Sequence, residues 1–202
     1  MKIYKIAQAK YCYHVTQTEF TSLGGNIGIG LHVANSIQGA YTFANAHYRK
    51  NFYVLTIQAN LKNPLEMPDI GAFNCPANFL SSLALGNIIT EKEYKQLAIQ
   101  MGASKKTTMW DYKEYTLKLD KQDVQFVKKY GLSYQEWEPI RTFLKAKGYD
   151  SLKYHGGRDV RDTCYVIFYD SQMSIVNKQF FKDIKYMTTN EEFYLKWYVN
   201  KN

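Results

Sequence analysis

Gly148-Tyr-Asp-Ser-Leu-Lys-Tyr-His-Gly-Gly-Arg-Asp-Val-Arg-Asp-Thr-Cys-Tyr-Val-Ile-Phe-Tyr-Asp170 reads as two β-strands joined by a polar turn. Residues 150–154 make the first strand and residues 164–170 the second, which is apolar without a break, as a strand covered on both faces is. Between them, Gly156-Gly-Arg-Asp supplies the glycines and aspartate of a solvated turn. A sheet is anchored here, and the rest of the chain can be placed against it.

Immediately upstream, Ser133-x-x-Glu136 is a capping-box pattern, and Trp137, Ile140, Phe143 and Leu144 form the apolar stripe of a helix that stops at Gly148. Thr90-x-x-Glu93 opens another helix reaching about residue 101, with Tyr94, Leu97, Ala98 and Met101 on one face. Residues 120–130 also have a helical pattern with Gly131 as the stop, whereas residues 113–119 fit either state. At the N-terminal end strands return. Residues 9–15 form one that ends at Thr16 and carries His14 near its end; a glycine-rich stretch from Ser22 leads into another over residues 29–33. Asn35 and Ser36 can cap a helix running to about Tyr48, with Ile37, Ala40, Tyr41 and Ala44 at helical spacing. Residues 52–61 alternate well enough for a strand with one buried face, which Asn63-Pro64 ends. Two β-rich ends, residues 1–66 and 148–188, thus enclose a helical insertion of about residues 76–130, and one α+β domain over residues 1–202 is expected.

Composition bounds the function. The chain has 202 residues, 46% hydrophobic and 16% aromatic, with 12 Gly and 4 Pro, which excludes disordered, collagen-like and low-complexity classes. No apolar run approaches the roughly 20 residues of a membrane-spanning helix. Residues 1–10 lack the apolar core of a signal peptide, so a cytoplasmic protein with no membrane partner is expected. The three cysteines, Cys12, Cys75 and Cys164, are odd in number, have no CxxC spacing and read as reduced thiols. Lys and Arg outnumber Asp and Glu by 26 to 18, a net charge of +8 that attracts nucleic acid, nucleotide phosphates or an acidic protein. Arginine is confined to Arg49, Arg141, Arg158 and Arg161, so the fork that reads bases is scarce, and the charge can equally be a solvated lysine surface. Oligomeric state is not legible.

Histidines and cysteines are scattered without metal-ligand spacing, so no metal is expected. The glycines between Gly24 and Gly30 lack the Gly-Lys-Ser/Thr ending of a P-loop, and no βαβ unit with a later acid marks a Rossmann site. Nothing local marks a thiol as activated for a Cys–His pair.

Four segments in order carry a more specific signal. Tyr13-His14-Val15-Thr16 resembles the Tyr-His-Gly-Thr/Ser strand of ADP-ribosyltransferases, the fold shared by poly(ADP-ribose) polymerases and many bacterial and phage toxins. Gly28-Ile-Gly-Leu-His-Val-Ala34, followed by the helix containing Gly39-Ala40-Tyr41, is similar to that family's Gly-x-Gly-Ile-Tyr-Phe-Ala motif and helix. Leu61-Lys-Asn-Pro-Leu65 resembles the Leu-x-Ile-x-Asn-Pro-Leu of its polyvalent phage branch. Gly148-Tyr-Asp-Ser-Leu-Lys-Tyr154, then Tyr165-Val-Ile-Phe-Tyr-Asp-Ser-Gln172-Met, looks like its last pair of strands. The helical middle has no counterpart.

The resemblance implies an ADP-ribosyltransferase-like split β-sandwich with a helical insertion and with NAD in a cleft between strands. It implies an NAD-dependent mono-ADP-ribosyltransferase acting on a host protein or nucleic-acid target, as a phage or bacterial effector in the host cytoplasm. Breaking the ribose–nicotinamide bond passes through an oxocarbenium-like state, which a nearby carboxylate stabilises more strongly as positive charge develops. Carried over by motif, the catalytic set is His14, His32 and Asp159, and the NAD-binding set is His14, Val15, Thr16, Gly30, His32, Tyr41 and Arg158. His14 would bond a ribose hydroxyl, and the backbone of Val15 would meet the nicotinamide amide, with a valine side chain narrowing the approach where glycine is usual. His32 stands where polymerase-like members carry a stacking tyrosine, and Tyr41, ahead of Phe43, would add an aromatic wall. Cys164 stands at the usual catalytic glutamate, and a thiol replaces a carboxylate poorly. The phage branch has an acid in the loop before this strand, which points to Asp159, with Asp162 as second choice; Arg158 or Arg161 would grip the pyrophosphate. Each residue also has a plain structural reading as a strand histidine, a core aromatic or a turn aspartate. The departure at Cys164 keeps a second function open, a catalytically silent fold that binds nucleic acid or an acidic protein partner through its basic surface.

Overall fold

Alternating and continuously apolar segments become seven strands: β1 (Lys10–Thr16), β2 (Leu31–Ala34), β3 (Phe52–Ala59), β4 (Pro64–Glu66), β5 (Ser151–His155), β6 (Thr163–Ile167) and β7 (Met173–Phe181). The computed structural model describes residues 10–18, 28–69, 73, 76–100 and 137–190. The ambiguous residues 113–119, the helical pattern over residues 120–130, the start of the glycine-rich stretch, Met101 and the Ser133/Glu136 pair lie outside them.

The strands form one sheet in the order β4-β5-β6-β2-β1-β3-β7, antiparallel except for β4 beside β5. The molecule is thus of mixed α+β class. The β5–β6 hairpin has the expected register, Ser151 opposite Ile167 and Tyr154 opposite Cys164, and β6 is an interior strand between β5 and β2. One junction is thin. β1 pairs with β3 along its whole length, from Lys10↔Ala59 to Thr16↔Tyr53, but meets β2 at the single pair Tyr13↔Ala34. The sheet is nearly cut there into a β4-β5-β6-β2 half and a β1-β3-β7 half.

The two halves nevertheless share a core. Cys12, Leu55 and Ile57 from one half pack in a single cluster with Leu31, Val33 and Ile167 from the other. On the opposite side of β1, β3 and β7, Tyr13, Val15, Phe52 and Val54 are covered by Ile37, Ala40 and Ala44 of helix α1 (Ile37–His47). β3 is therefore buried on both faces, from Val54 to Ile57, where its sequence alternation suggested one; burying each of these apolar side chains contributes about 1.5–3 kcal/mol. β2 starts at Leu31, later than its apolar run, because the left-handed turn at Gly28 (φ 58°) interrupts the extended chain.

Helix α1 starts where Ser36 caps it, the hydroxyl accepting from Gly39 N–H at 3.1 Å. Asp162 completes the cap across the fold: one carboxylate oxygen accepts from Ser36 N–H at 2.7 Å and Ser36 Oγ–H at 2.8 Å. Asp150 likewise receives the N–H groups of Lys62 and Asn63, at 2.6 and 3.1 Å, and sets the entry to β4. Gln172 bridges Tyr169 N–H and the Asp150 carbonyl, at 2.9 and 2.7 Å, a structural role.

A second compact unit takes residues 26–29 and 70–148. Its described helices are α2 (Pro76–Leu85), α3 (Glu91–Gln100) and α4 (Glu138–Ala146). The capping box at α3 forms as the sequence suggests: Thr90 N–H donates to Glu93 Oε2 at 2.7 Å and Glu93 N–H to Thr90 Oγ1 at 3.3 Å, with Tyr94, Leu97 and Ala98 buried. α4 begins later than its apolar stripe predicted. Trp137 is its N-cap rather than part of the helix, because Pro139 has no N–H and fits only in a first turn. No helix among the described residues is long and apolar enough to cross a membrane.

Candidate functional site

The thin junction between β1 and β2 is where the two histidines meet. His14, on β1, is half-buried, and its Nδ1–H donates to the backbone carbonyl of His32 on β2 at 2.7 Å. A carbonyl only accepts, so this bond fixes the His14 tautomer: the proton is on Nδ1 and Nε2 carries the lone pair. His32, also half-buried, is hydrogen-bonded through Nδ1 to the Tyr154 hydroxyl at 2.8 Å, and the two rings meet edge-to-face at 5.9 Å. Cys164, opposite Tyr154 in the hairpin register, donates its Sγ–H to the Asp162 carbonyl at 3.7 Å. A polar chain thus runs from β1 through β2 to β5.

Burial controls its protonation. It lowers the His14 pKa, with the bond to the His32 carbonyl opposing, and lowers that of His32 to about 4, helped by the charge of His14. Both rings are neutral at pH 7. Burial also pushes the Cys164 thiol up to about 12, so it carries no charge, and Cys12 rises to about 12 for the same reason. The Tyr154 hydroxyl is raised first by burial, and the negative charges of Asp69 and Asp159 add to it. Asp159, in the β5–β6 turn, is the weakest of these influences on Tyr154.

Asp159 lies in that turn, half-exposed, with its carboxylate 3.0 Å from His47 Nε2 in the last turn of α1. Arg158 is exposed beside it. Asp162, by contrast, engages both carboxylate oxygens inside the fold, one with Ser36 and the other with Thr163 N–H at 2.7 Å. Asp69 holds the turn from outside by accepting from Gly157 N–H at 2.9 Å.

The remaining sequence-derived residues have other contacts. The Val15 side chain is in the core beneath α1 and does not narrow an approach to His14, because alternation along β1 turns it to the face opposite His14. Thr16 Oγ closes a local turn, accepting from Thr18 N–H and donating to the Thr18 carbonyl, both at 3.1 Å. A side chain at Gly30 would collide with the Ile167 carbonyl oxygen, so strand packing alone accounts for the glycine. Tyr41 packs against the core beneath α1, and Phe43 lies against His47 with ring centroids 4.4 Å apart. Sequence reasoning missed Tyr154 and His47. The signal for Tyr154 was available in the hairpin, whose register places it opposite Cys164. Among the described residues no group of His, Cys, Asp and Glu side chains is arranged to hold a metal ion.

Neutral, half-buried histidines make stability pH-dependent. Their folded pKa values lie below the unfolded value of about 6.5, so their contribution is complete above that pH and is lost as pH falls, for His32 towards about 4. For His32 the loss should be on the order of 2–3 kcal/mol. Urea midpoints at about pH 7 and pH 4.5 should show it, and His32→Gln should flatten the difference relative to the unaltered chain. An unchanged difference would mean that His32 does not titrate with unfolding.

In comparisons of the chain with protein-family models, with curated proteins and with solved structures, nothing matches.

Proposed function

We propose that the chain is an NAD-dependent mono-ADP-ribosyltransferase with a split β-sandwich of the ADP-ribosyltransferase type, a phage or bacterial effector acting on a host protein or nucleic acid. The observation that carries this reading is the hydrogen-bonded chain His14–His32–Tyr154 across the near-break between β1 and β2.

The residues suit the chemistry. NAD supplies a ribose–nicotinamide bond that breaks with its electron pair leaving on neutral nicotinamide, while an acceptor oxygen or nitrogen bonds the same ribose carbon and gives up its proton. A neutral His14, held by its Nδ1 bond, presents an Nε2 lone pair to accept from a ribose hydroxyl without adding positive charge beside a developing cation. His32 offers a flat, uncharged ring whose orientation is fixed by Tyr154. Asp159 is the carboxylate that faces the positive ribose, with His47 orienting it, and Arg158 is the cation for the diphosphate. The test is nicotinamide release from NAD by the purified chain. We expect release above background and a fall of roughly 10²–10³ in Asp159→Asn; equal rates in both proteins would remove Asp159 from the mechanism.

One observation favours a second reading, a catalytically silent fold that binds nucleic acid or an acidic protein: the residue at the usual glutamate position, Cys164, is a buried neutral thiol. No nicotinamide release with any acceptor supports it.

A further inference from the structure

Away from the histidines, the far edge of the sheet gathers cations and exposed aromatic rings. The turn after α1 carries Arg49 and Lys50, and the end of β7 runs into Lys182 and Lys185. Two backbone bonds hold these segments together: Ile184 N–H to the Arg49 carbonyl at 2.7 Å and Asn51 N–H to the Lys182 carbonyl at 3.3 Å. All four cations are exposed, and among the described residues none has a carboxylate partner. The one acid between them, Asp183, is half-buried, and one carboxylate oxygen accepts from Lys185 N–H at 3.1 Å. Four like charges kept together without counter-ions favour an anion.

The rings say which kind. Exposed large apolar side chains are few among the described residues, and two of them, Phe180 at 46% and Tyr186 at 66%, stand in this patch. Alternation along β7 sends Phe181 into the core and leaves Phe180 outside, 5.1 Å from the Tyr53 ring. The Lys185 ammonium lies 5.0 Å from the Tyr186 ring centre. Ammonium groups beside exposed rings suit phosphates alternating with unpaired bases: a base can stack on a ring while its phosphate is neutralised. An acidic peptide would use the cations and leave the rings without a partner. A duplex hides its base faces, and the patch offers no helix for a groove.

We infer that the edge formed by residues 49–53 and 180–186 binds single-stranded nucleic acid without sequence preference. The inference is independent of the NAD reading, since it uses none of its residues.

The test is fluorescence anisotropy of the full chain with a short labelled oligouridylate and oligothymidylate, against a duplex of equal length and polyglutamate. Four phosphate contacts predict that single-strand affinity falls about fifty-fold between about 50 and 200 mM salt. Lys50→Glu with Lys182→Glu and Lys185→Glu should weaken binding more than tenfold and flatten that salt dependence. Phe180→Ala with Tyr186→Ala should weaken it about tenfold or more while leaving the salt dependence unchanged, which separates stacking from charge. Thermal melts of the variants establish that they fold; charge reversal at Lys92 and Lys95 on α3 should change little. No single-strand binding, tighter binding of duplex or polyglutamate, or full affinity in the triple charge variant each overturns the inference.

Discussion

Replacing His14 by alanine is expected to lower the rate of nicotinamide release by roughly 10²–10³, the loss typical of removing one positioned hydrogen-bonding group from a transition state. The imidazole has two jobs in the proposed reading, and they can be separated. Nδ1–H holds the His32 carbonyl at 2.7 Å, while Nε2 meets substrate. Alanine removes both and leaves the carbonyl without its donor, at a stability cost of about 1–3 kcal/mol. Asparagine has an amide N–H at nearly the position of Nδ1–H and nothing at the position of Nε2. His14→Asn should therefore keep the bond to the His32 carbonyl and be as inactive as His14→Ala. Activity retained in the asparagine variant would show that the internal bond, not the outer nitrogen, is what matters.

Gly30→Ala should give the largest loss of stability, about 3 kcal/mol. Its added carbon would overlap the Ile167 carbonyl oxygen and lie 2.9 Å from Val166 Cγ1. Those atoms belong to β6, an interior strand, so β2 and β6 must separate along the Leu31↔Ile167 end of their ladder. Gly39→Ala makes a useful contrast, because there the obstacle is the side chain of Asp162 at 2.5 Å, which can rotate at the expense of a helix cap. Urea denaturation should rank Gly30→Ala as the more damaging; a loss below about 1 kcal/mol would mean the strands do not approach this closely.

Local signals were legible and non-local ones were not. The Ser36 cap of α1, the Thr90–Glu93 box of α3 and the β5–β6 hairpin all depend on residues close in sequence, and sequence reading finds them. β4 was missed because it is three residues long, starts at Pro64 and pairs in parallel with a strand far along the chain. β7 was missed although it is the longest strand, since Asn177, Lys178 and Gln179 break its alternation and its register shifts opposite Thr56 and Ile57. At the candidate site, motif spacing pointed to His14 and His32 separately, and their contact depends on the single pairing of Tyr13 with Ala34. Asp162 stands in the sequence as second choice to Asp159 in the same turn; only the fold reveals that Asp162 caps α1 and Asp159 meets His47.

The central claim is that both imidazoles face one dinucleotide, and histidine side-chain NMR during addition of NAD tests it most directly. Signals of His14 and His32 should shift together with a single affinity, and His155, exposed at the end of β5, should stay unmoved. Saturating NAD that leaves His14 and His32 where they were, or moves one without the other, would contradict the account.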